Sequence, residues 1–156
     1  MKIRPATPTE YDTCAAMMVR TDPWITLKMD IQQCLSAFQG PCKDVFVAEI
    51  QSQPVGFIII QTEGTFRGYI QTLCVAEEFR GQGVGRKLLE FAEENVRTYS
   101  VNLFICVSDF NQKALKLYRE FGFEQIGLLP DLVKKGFTEI LLRKTFGPLM
   151  KENQHL

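Results

Sequence analysis

Apolar and polar positions change period several times along this chain, and each change predicts a boundary between strand and helix. Residues 2–6, KIRPA, predict a short edge strand, and Thr7-Pro8-Thr9-Glu10 then has the form of a capping box with proline at the first helical position. A helix is expected from there to about Arg20. In TLKMDIQQCLSAFQG, residues 26–40, Leu27, Ile31, Cys34, Leu35 and Phe38 share one helical face and Gly40 supplies a stop, which predicts a second helix. DVFVAEI and PVGFIIIQT are rich in β-branched and aromatic residues and flank the polar turn QSQ, predicting a hairpin, with GYIQTLCV as the next strand beyond TEGTF.

The period then returns to helical. Val84, Leu88, Phe91, Ala92 and Val96 recur on one face, while Arg86, Lys87, Glu90 and Glu94 occupy the others. VNLFICV is a near-continuous apolar run, the pattern of a buried strand. Ala114, Leu115, Tyr118 and Phe121 mark a further helix stopped by Gly122, and FEQIGLL and FTEILLRKT predict two last strands around the loop PDLVKKG. The expected order is β-α-α-β-β-β-α-β-α-β-β, with no internal repeat.

Composition narrows the setting. The 156 residues (17.8 kDa) suffice for one domain with a sizeable core, and no linker-like stretch divides them. A single domain over residues 1–156 is expected, with 151–156 as a loose tail. Lys+Arg and Asp+Glu number 18 each, and no basic run is present to grip phosphate backbones, which argues against nucleic acid as a partner. The five cysteines, Cys14, Cys34, Cys42, Cys74 and Cys106, are odd in number and scattered without a C-x-x-C pair. They point to reduced thiols rather than a disulfide framework or a zinc site. The N-terminus turns polar at once, and the longest apolar run, VGFIII, is too short to cross a membrane. A cytoplasmic protein without a membrane partner is the expectation.

The candidate chemistry begins at RGQGVG, Arg80 to Gly85, at the mouth of the third helix. A helix N-terminus leaves amides unpaired and carries partial positive charge, so glycines there let a phosphate approach. The same glycines also suit a plain tight turn and cap. A P-loop is excluded, because Gly85 is followed by Arg86-Lys87-Leu88 with no hydroxyl for magnesium. A dinucleotide fingerprint is excluded as well, since the sixth position is Arg86 counted from Gly81 and Leu88 counted from Gly83.

The stretch IQTLCVAEEFRGQGVGRKLLEFAEE, followed after a strand by CVSDFNQKALKLYREFGFEQIG, resembles the GCN5-related N-acetyltransferase (GNAT) family, which uses acetyl-coenzyme A. Arg80, Gly83 and Gly85 match its pyrophosphate motif Q/R-x-x-G-x-G/A. Asn111, Ala114, Leu117, Tyr118, Gly122 and Phe123 match its second signature, an Asn followed by A-x-x-L-Y-x-x-x-G-F. The element order fits from residue 2 to 144. The resemblance implies an α+β fold in three α/β/α layers: a mixed, mostly antiparallel sheet of about seven strands flanked by about four helices. It implies acetyl-CoA as co-substrate, without a metal, its pyrophosphate on the amides of Gly81, Gln82, Gly83, Val84, Gly85 and Arg86. It further implies that the strand carrying Leu73, Cys74 and Val75 splays from FICV and pairs its free backbone with the pantetheine arm.

Acetyl transfer to an amine sets three tasks. The ammonium, with pKa about 10.4, must lose a proton at a cost of about 4.6 kcal/mol at pH 7. The carbonyl oxygen needs a preorganised donor, and the leaving thiolate needs a proton. The resemblance assigns the last task to Tyr118, although a core tyrosine on an apolar stripe has the same pattern. Asn111 caps its helix, bonds to the coenzyme arm, or does both. Cys74 and Cys106 read as core, since the family attacks directly. No carboxylate stands at Cys106 or Tyr69, where relatives place their base. Glu63, Asp109, Asp131 and Glu139 remain, each reading as a solvated surface group, beside a backbone-held water; His155 sits in the tail. Residues 20–30, with Trp24, and LLPDLVKKGF occupy the positions where relatives line an acceptor groove. The acceptor is an amine-bearing small molecule, peptide or protein, and the resemblance allows a homodimer through the C-terminal strands. The rival readings are a CoA-binding regulatory module without turnover and an ATP-binding domain.

Overall fold

The polar turn at Gln51 and Ser52 sets the first register of the sheet. Both residues take positive φ, 50° and 61°, the conformation of a two-residue hairpin whose twist matches its strands. They join β2 (Lys43–Ile50) to β3 (Gln53–Gln61), with Ile50 opposite Gln53. Around this hairpin the computed structural model, which describes residues 1–152, builds one seven-stranded sheet. His155 and the end of the expected tail lie outside the described residues. The remaining strands are β1 (Lys2–Pro5), β4 (Tyr69–Val75), β5 (Asn102–Ser108), β6 (Glu124–Pro130) and β7 (Thr138–Thr145), in the spatial order β1-β2-β3-β4-β5-β7-β6. Every neighbouring pair is antiparallel except β4 and β5.

Four helices cover the two faces: α1 (Tyr11–Met18), α2 (Ile31–Ser36), α3 (Val84–Val96) and α4 (Gln112–Phe121). Alternation along β3 shows why both layers are needed. Ile58 and Ile60 pack under α3 and α4 with Leu88, Ala92, Leu115 and Phe121, while Phe57 and Ile59 pack under α1 and α2 with Cys14, Met18 and Cys34. A strand with no polar face is stable only when helices bury both sides. The α+β, three-layer architecture is thus the one expected.

The second helix is much shorter than its periodicity predicts. Lys28 turns the chain with φ of 51°, and Asp30 then starts a new helix: its Oδ1 accepts from the Gln33 amide at 2.8 Å, and Gln33 Oε1 accepts from the Asp30 amide at 2.9 Å. This local capping box outcompetes a longer helix. Leu27 is buried from a turn rather than from a helix, and Ile31, expected on the apolar face, is 39% exposed. The Thr7–Glu10 capping box is present as expected, opening a short 3-10 turn before α1.

Candidate active site

Between β4 and β5 the sheet comes apart. Only Tyr69 with Phe104 and Ile70 with Ile105 pair. The cause lies one residue further on: across β3, Ile60 faces Ile70 and Ile59 faces Thr72, so Gln71 is an extra residue in β4. Such a bulge bends its strand and sharpens the twist. The Gln71 side chain donates to the Ala37 carbonyl at 3.1 Å and holds the bend against the end of α2. A cavity of about 610 Å³ fills the resulting split.

One arm of the cavity ends at the mouth of α3. The first helical bond runs from the Lys87 amide to the Gly83 carbonyl at 3.0 Å, so the amides of Val84, Gly85 and Arg86 precede it without a helical acceptor. Gly83 is the N-cap at φ 83°, a left-handed conformation that glycine adopts freely. Gly85 serves differently. A Cβ there would lie 3.3 Å from Leu117 Cδ2 and 3.7 Å from Val75 Cγ2, so its absence lets α3 begin close against α4 and β4. Arg80 donates through Nε to the Val75 carbonyl at 3.2 Å and meets Glu77 at 3.6 Å, clasping the loop to the end of β4. Arg86 pairs with Glu90 at 3.1 Å. Arg80, Arg86 and Lys113 all line this arm. Gln82 does not: its side chain donates to the Glu78 carbonyl at 3.0 Å, outside the cavity.

Along β4, Leu73 and Val75 line the cavity and Cys74 does not. The Ala76 amide bonds to Val55 of β3 at 2.9 Å, so by strand alternation Cys74 turns its backbone to β3 while Leu73 and Val75 turn theirs to the gap. The Cys74 side chain lies in the α1/α2 core, 3.6 Å from Thr21 Oγ1, where burial pushes its thiol up to about 12. Burial also raises the Cys106 thiol. Neither is primed as a nucleophile.

The arms meet at the end of β5. Tyr118 is only 6% exposed, yet it borders the cavity, and its hydroxyl makes no hydrogen bond to protein among the described residues. Burial raises its pKa further above the ordinary phenol value, so it stays protonated. Asn111 caps α4, accepting from the Ala114 amide at 3.4 Å, and also borders the cavity. Opposite stands Glu139, at the start of β7. It is 5% exposed and accepts from Ser108 Oγ at 2.6 Å, its cross-strand neighbour. Burial raises its pKa and the nearby Asp109 adds to the rise, while the Ser108 bond works the other way. Tyr69 is close enough that, after its own burial, Cys106, Glu139 and Tyr118 all push its pKa up.

These placements revise the sequence reading of the carboxylates. Glu139 is buried and faces the cavity, not solvent, whereas Glu63, Asp109 and Asp131 are exposed and do not border it. The signal for Glu139 was faint: a lone acid just before the apolar run Ile140-Leu141-Leu142. Ser108 and the Gln71 bulge carried no local signal. Among the described residues, no group of three or more His, Cys, Asp or Glu side chains is placed to hold a metal, and no helix is long and apolar enough to cross a membrane.

The sheet is thus split at its single parallel pair, with a glycine-opened helix mouth bordering the split. The chain belongs to the acetyltransferase (GNAT) family, whose pattern residues 10–123 match. Over 70 residues it is 41% identical to Acetyltransferase Atu2258 of Agrobacterium fabrum, a match covering 44% of this chain and 50% of that protein. The chain thus spans about half the length of this relative. The ribosomal-protein-alanine N-acetyltransferase from Brucella melitensis superposes with a TM-score of 0.71 at 26% identity, over 93% of this chain and 99% of that one. An aminoglycoside 6'-N-acetyltransferase complexed with coenzyme A superposes with a TM-score of 0.74 at 16% identity, over 97% and 100% of the two chains.

Proposed function

We propose that this chain is an acetyl-CoA-dependent N-acetyltransferase in which a primary amine attacks the donor carbonyl directly. The observation that carries the reading is the single cavity with unpaired helix-opening amides on one arm and a buried carboxylate and a free phenol at its elbow. The relatives point the same way: they are named acetyltransferases, and one of them is complexed with coenzyme A.

The donor arm fits its proposed ligand. The amides of Gly81, Gly83, Val84, Gly85 and Arg86 receive the pyrophosphate, without the Gln82 that lies outside the cavity, and Arg80, Arg86 and Lys113 offset its charge. The surface ion pairs of Arg80 and Arg86 are exposed and weak, so a phosphate replaces them readily. Leu73 and Val75 offer backbone groups to an extended amide-bearing arm, as an added strand would require, and the Asn111 side-chain amide is a further donor beside it. Acetyl-CoA supplies the activated acyl group, and no metal takes part.

Glu139 receives the ammonium proton, directly or through a water. Burial raises a carboxylate toward the pKa range where a general base works best, and Ser108 fixes its orientation. The neutral amine nitrogen then bonds to the carbonyl carbon, its second proton leaves to water from the tetrahedral adduct, and the carbon–sulfur bond breaks as the carbonyl re-forms. The Tyr118 hydroxyl donates to the departing sulfur and is re-protonated from solvent. Because its pKa is raised, much of its help is a hydrogen bond to the developing thiolate, with proton transfer completing late. The thiols of Cys74 and Cys106, both shifted upward, stay out of the acyl path.

Coenzyme thiol release with a panel of amines tests the reading. Tyr118→Phe should keep fold and coenzyme affinity yet lower turnover by roughly 10²- to 10⁴-fold. Near-normal turnover with chemistry rate-limiting would assign the proton to solvent. Coenzyme binding without thiol release for any amine would establish the regulatory module instead, a reading that Glu139 in the cavity disfavours.

The cytosol is the proposed setting, based on five cysteines that are all unpaired thiols. A homodimer through the C-terminal strands is also proposed, because β6 forms a sheet edge and exposes Ile126 and Leu128. A monomeric mass at micromolar concentration would refute it.

A further inference from the structure

We infer that Gln71 and Thr72 form a specificity-determining pair that binds a neutral amide beside the reacting amine, so that the acceptor is an α-amino amide. The inference rests on the acetyltransferase reading and adds to it two residues and a substrate chemistry.

The bulge makes the pair. In a regular strand, adjacent side chains point to opposite faces. Across β3, Ile70 faces Ile60, which packs under α3 and α4, and Thr72 faces Ile59, which packs under α1 and α2. Gln71, the extra residue between them, reaches the Ala37 carbonyl just past α2. Gln71 and Thr72 are therefore sequence neighbours on one face, and both border the cavity. Met18, Trp24 and Leu27 line the cavity from α1 and the α1–α2 segment, on this acceptor side. Glu139 belongs to the same face across the split, because Ile140, next along β7, packs under α3 and α4.

Hydrogen-bond accounting singles out Thr72. Buried polar side chains are bonded as a rule, so each exception asks for a partner. Among the described residues, Thr21, Thr72, Ser100, Asn102, Ser108 and Glu139 are the buried polar or charged side chains. Thr21 donates to the Met17 and Met18 carbonyls, Ser100 to those of Arg67 and Asn102, and Ser108 to Glu139. Asn102 Oδ1 has no partner but is sealed away from the cavity. Thr72 is only 7% exposed, makes no side-chain hydrogen bond among the described residues, and borders the cavity. Its hydroxyl is open to a ligand there. Gln71 is half used: Nε2 holds Ala37, while Oε1 has no partner among the described residues.

A hydroxyl that can donate beside a carbonyl oxygen that can only accept is matched by one amide, which presents C=O and N–H together. An alkyl group in the same place would leave both protein groups unpaired, and that loss is what rejects it. The lining cations Arg80, Arg86 and Lys113 stand on the donor arm, so a carboxylate in the amide's place meets no counter-charge at this pair.

Thiol release with glycinamide and with isobutylamine, in which an isopropyl group of similar shape replaces the carboxamide, tests the pair. Thr72→Val keeps the branched shape and removes the hydroxyl. It should lower the ratio of kcat/KM for glycinamide to that for isobutylamine about tenfold, mainly through KM, and Thr72→Ser should restore most of the ratio. Differences in basicity between the two amines cancel when the ratio is compared between proteins. Coenzyme affinity should be unchanged, and the melting temperature of Thr72→Val should not fall, since the hydroxyl has no protein partner to lose. An unchanged ratio overturns the inference. Triglycinamide separates the two sources of the amide: turnover near that of glycinamide places it at a chain end, much slower turnover in a free amino amide, and the pair stands in both cases. If the wild-type protein releases no thiol with any amine, the acetyltransferase reading fails, and saturation-transfer NMR with coenzyme A present decides the pair by itself. Glycinamide bound by the wild type and lost in Thr72→Val upholds it, and any other pattern sinks it.

Discussion

The two arms of the cavity are built from different materials. The donor arm is made largely of backbone: amides opening α3, strand groups of Leu73 and Val75, and a carbonyl clasped by Arg80. The acceptor arm is made of side chains from α1, the α1–α2 segment, β4, β5, β7 and the β6–β7 loop. Backbone is a surface every member of a family can present in one way, which suits a ligand that does not vary. Side chains change one at a time, which suits a ligand that does.

The largest effect should come from the elbow that joins the arms. Glu139→Gln keeps the Ser108 neighbour and the shape, but removes the proton acceptor. Turnover on a verified amine should fall by roughly 10²- to 10⁴-fold with coenzyme affinity unchanged, as measured by thiol release and calorimetry. A variant of near wild-type activity would leave water as the base and erase this part of the contrast.

A backbone-built arm should instead respond to conformation. Gly83→Val forces a β-branched residue to φ near 83°, although no neighbour lies within 4 Å of an added Cβ. Strain of about 1–3 kcal/mol should weaken coenzyme binding by about tenfold to a hundredfold. Intact coenzyme affinity in a folded variant would show that the loop amides do not hold the pyrophosphate.

Ser108→Ala gives a subtler reading. Its hydrogen bond favours ionised Glu139, so removing it raises the Glu139 pKa further. A base must be deprotonated to act, so the acidic limb of the kcat/KM profile should move to higher pH, with the plateau nearly kept. A stationary limb would mean that another group sets it.

The smallest effect lies outside both arms. Arg4 bridges Glu10 at 2.8 Å and Glu49, holding the Glu10 carboxyl at about 2 instead of its ordinary 4.5, chiefly through the Arg4 hydrogen bond. A carboxylate lowered on folding stabilises the native state fully above its unfolded pKa and loses that contribution as pH falls through the folded value. Melting temperature should therefore decline between pH 4.5 and 2, less so in Glu10→Gln, while coenzyme affinity at pH 7 is the same in both proteins.

The same contrast explains what could be read in the sequence. Helix-opening glycines and the Asn111 cap act within a few residues of themselves, so RGQGVG and the Asn-to-Phe signature marked the fold and the proposed donor arm together. The order of elements along the chain was legible too, whereas the spatial order of the strands was not. Glu139 meets Ser108 only through pairing across 31 positions, and Leu132 and Trp24 come to line one cavity only after the whole sheet has formed. Nothing local marks such meetings. The second helix was overread for the opposite reason: five apolar residues at helical spacing outweighed a strong cap at Asp30 that lay inside the run.

The bulge at Gln71 divides the sheet mechanically. Strands β1 to β4 form one stiff plate and β5 to β7 another, joined by a seam of two residue pairs. The proposed ligand arm, laid between Leu73 or Val75 and the β5 side, would supply the rungs that the seam lacks, turning two plates into one. Amide hydrogen exchange should therefore slow on both sides of the gap when the donor is bound, and the free protein should breathe most along this line.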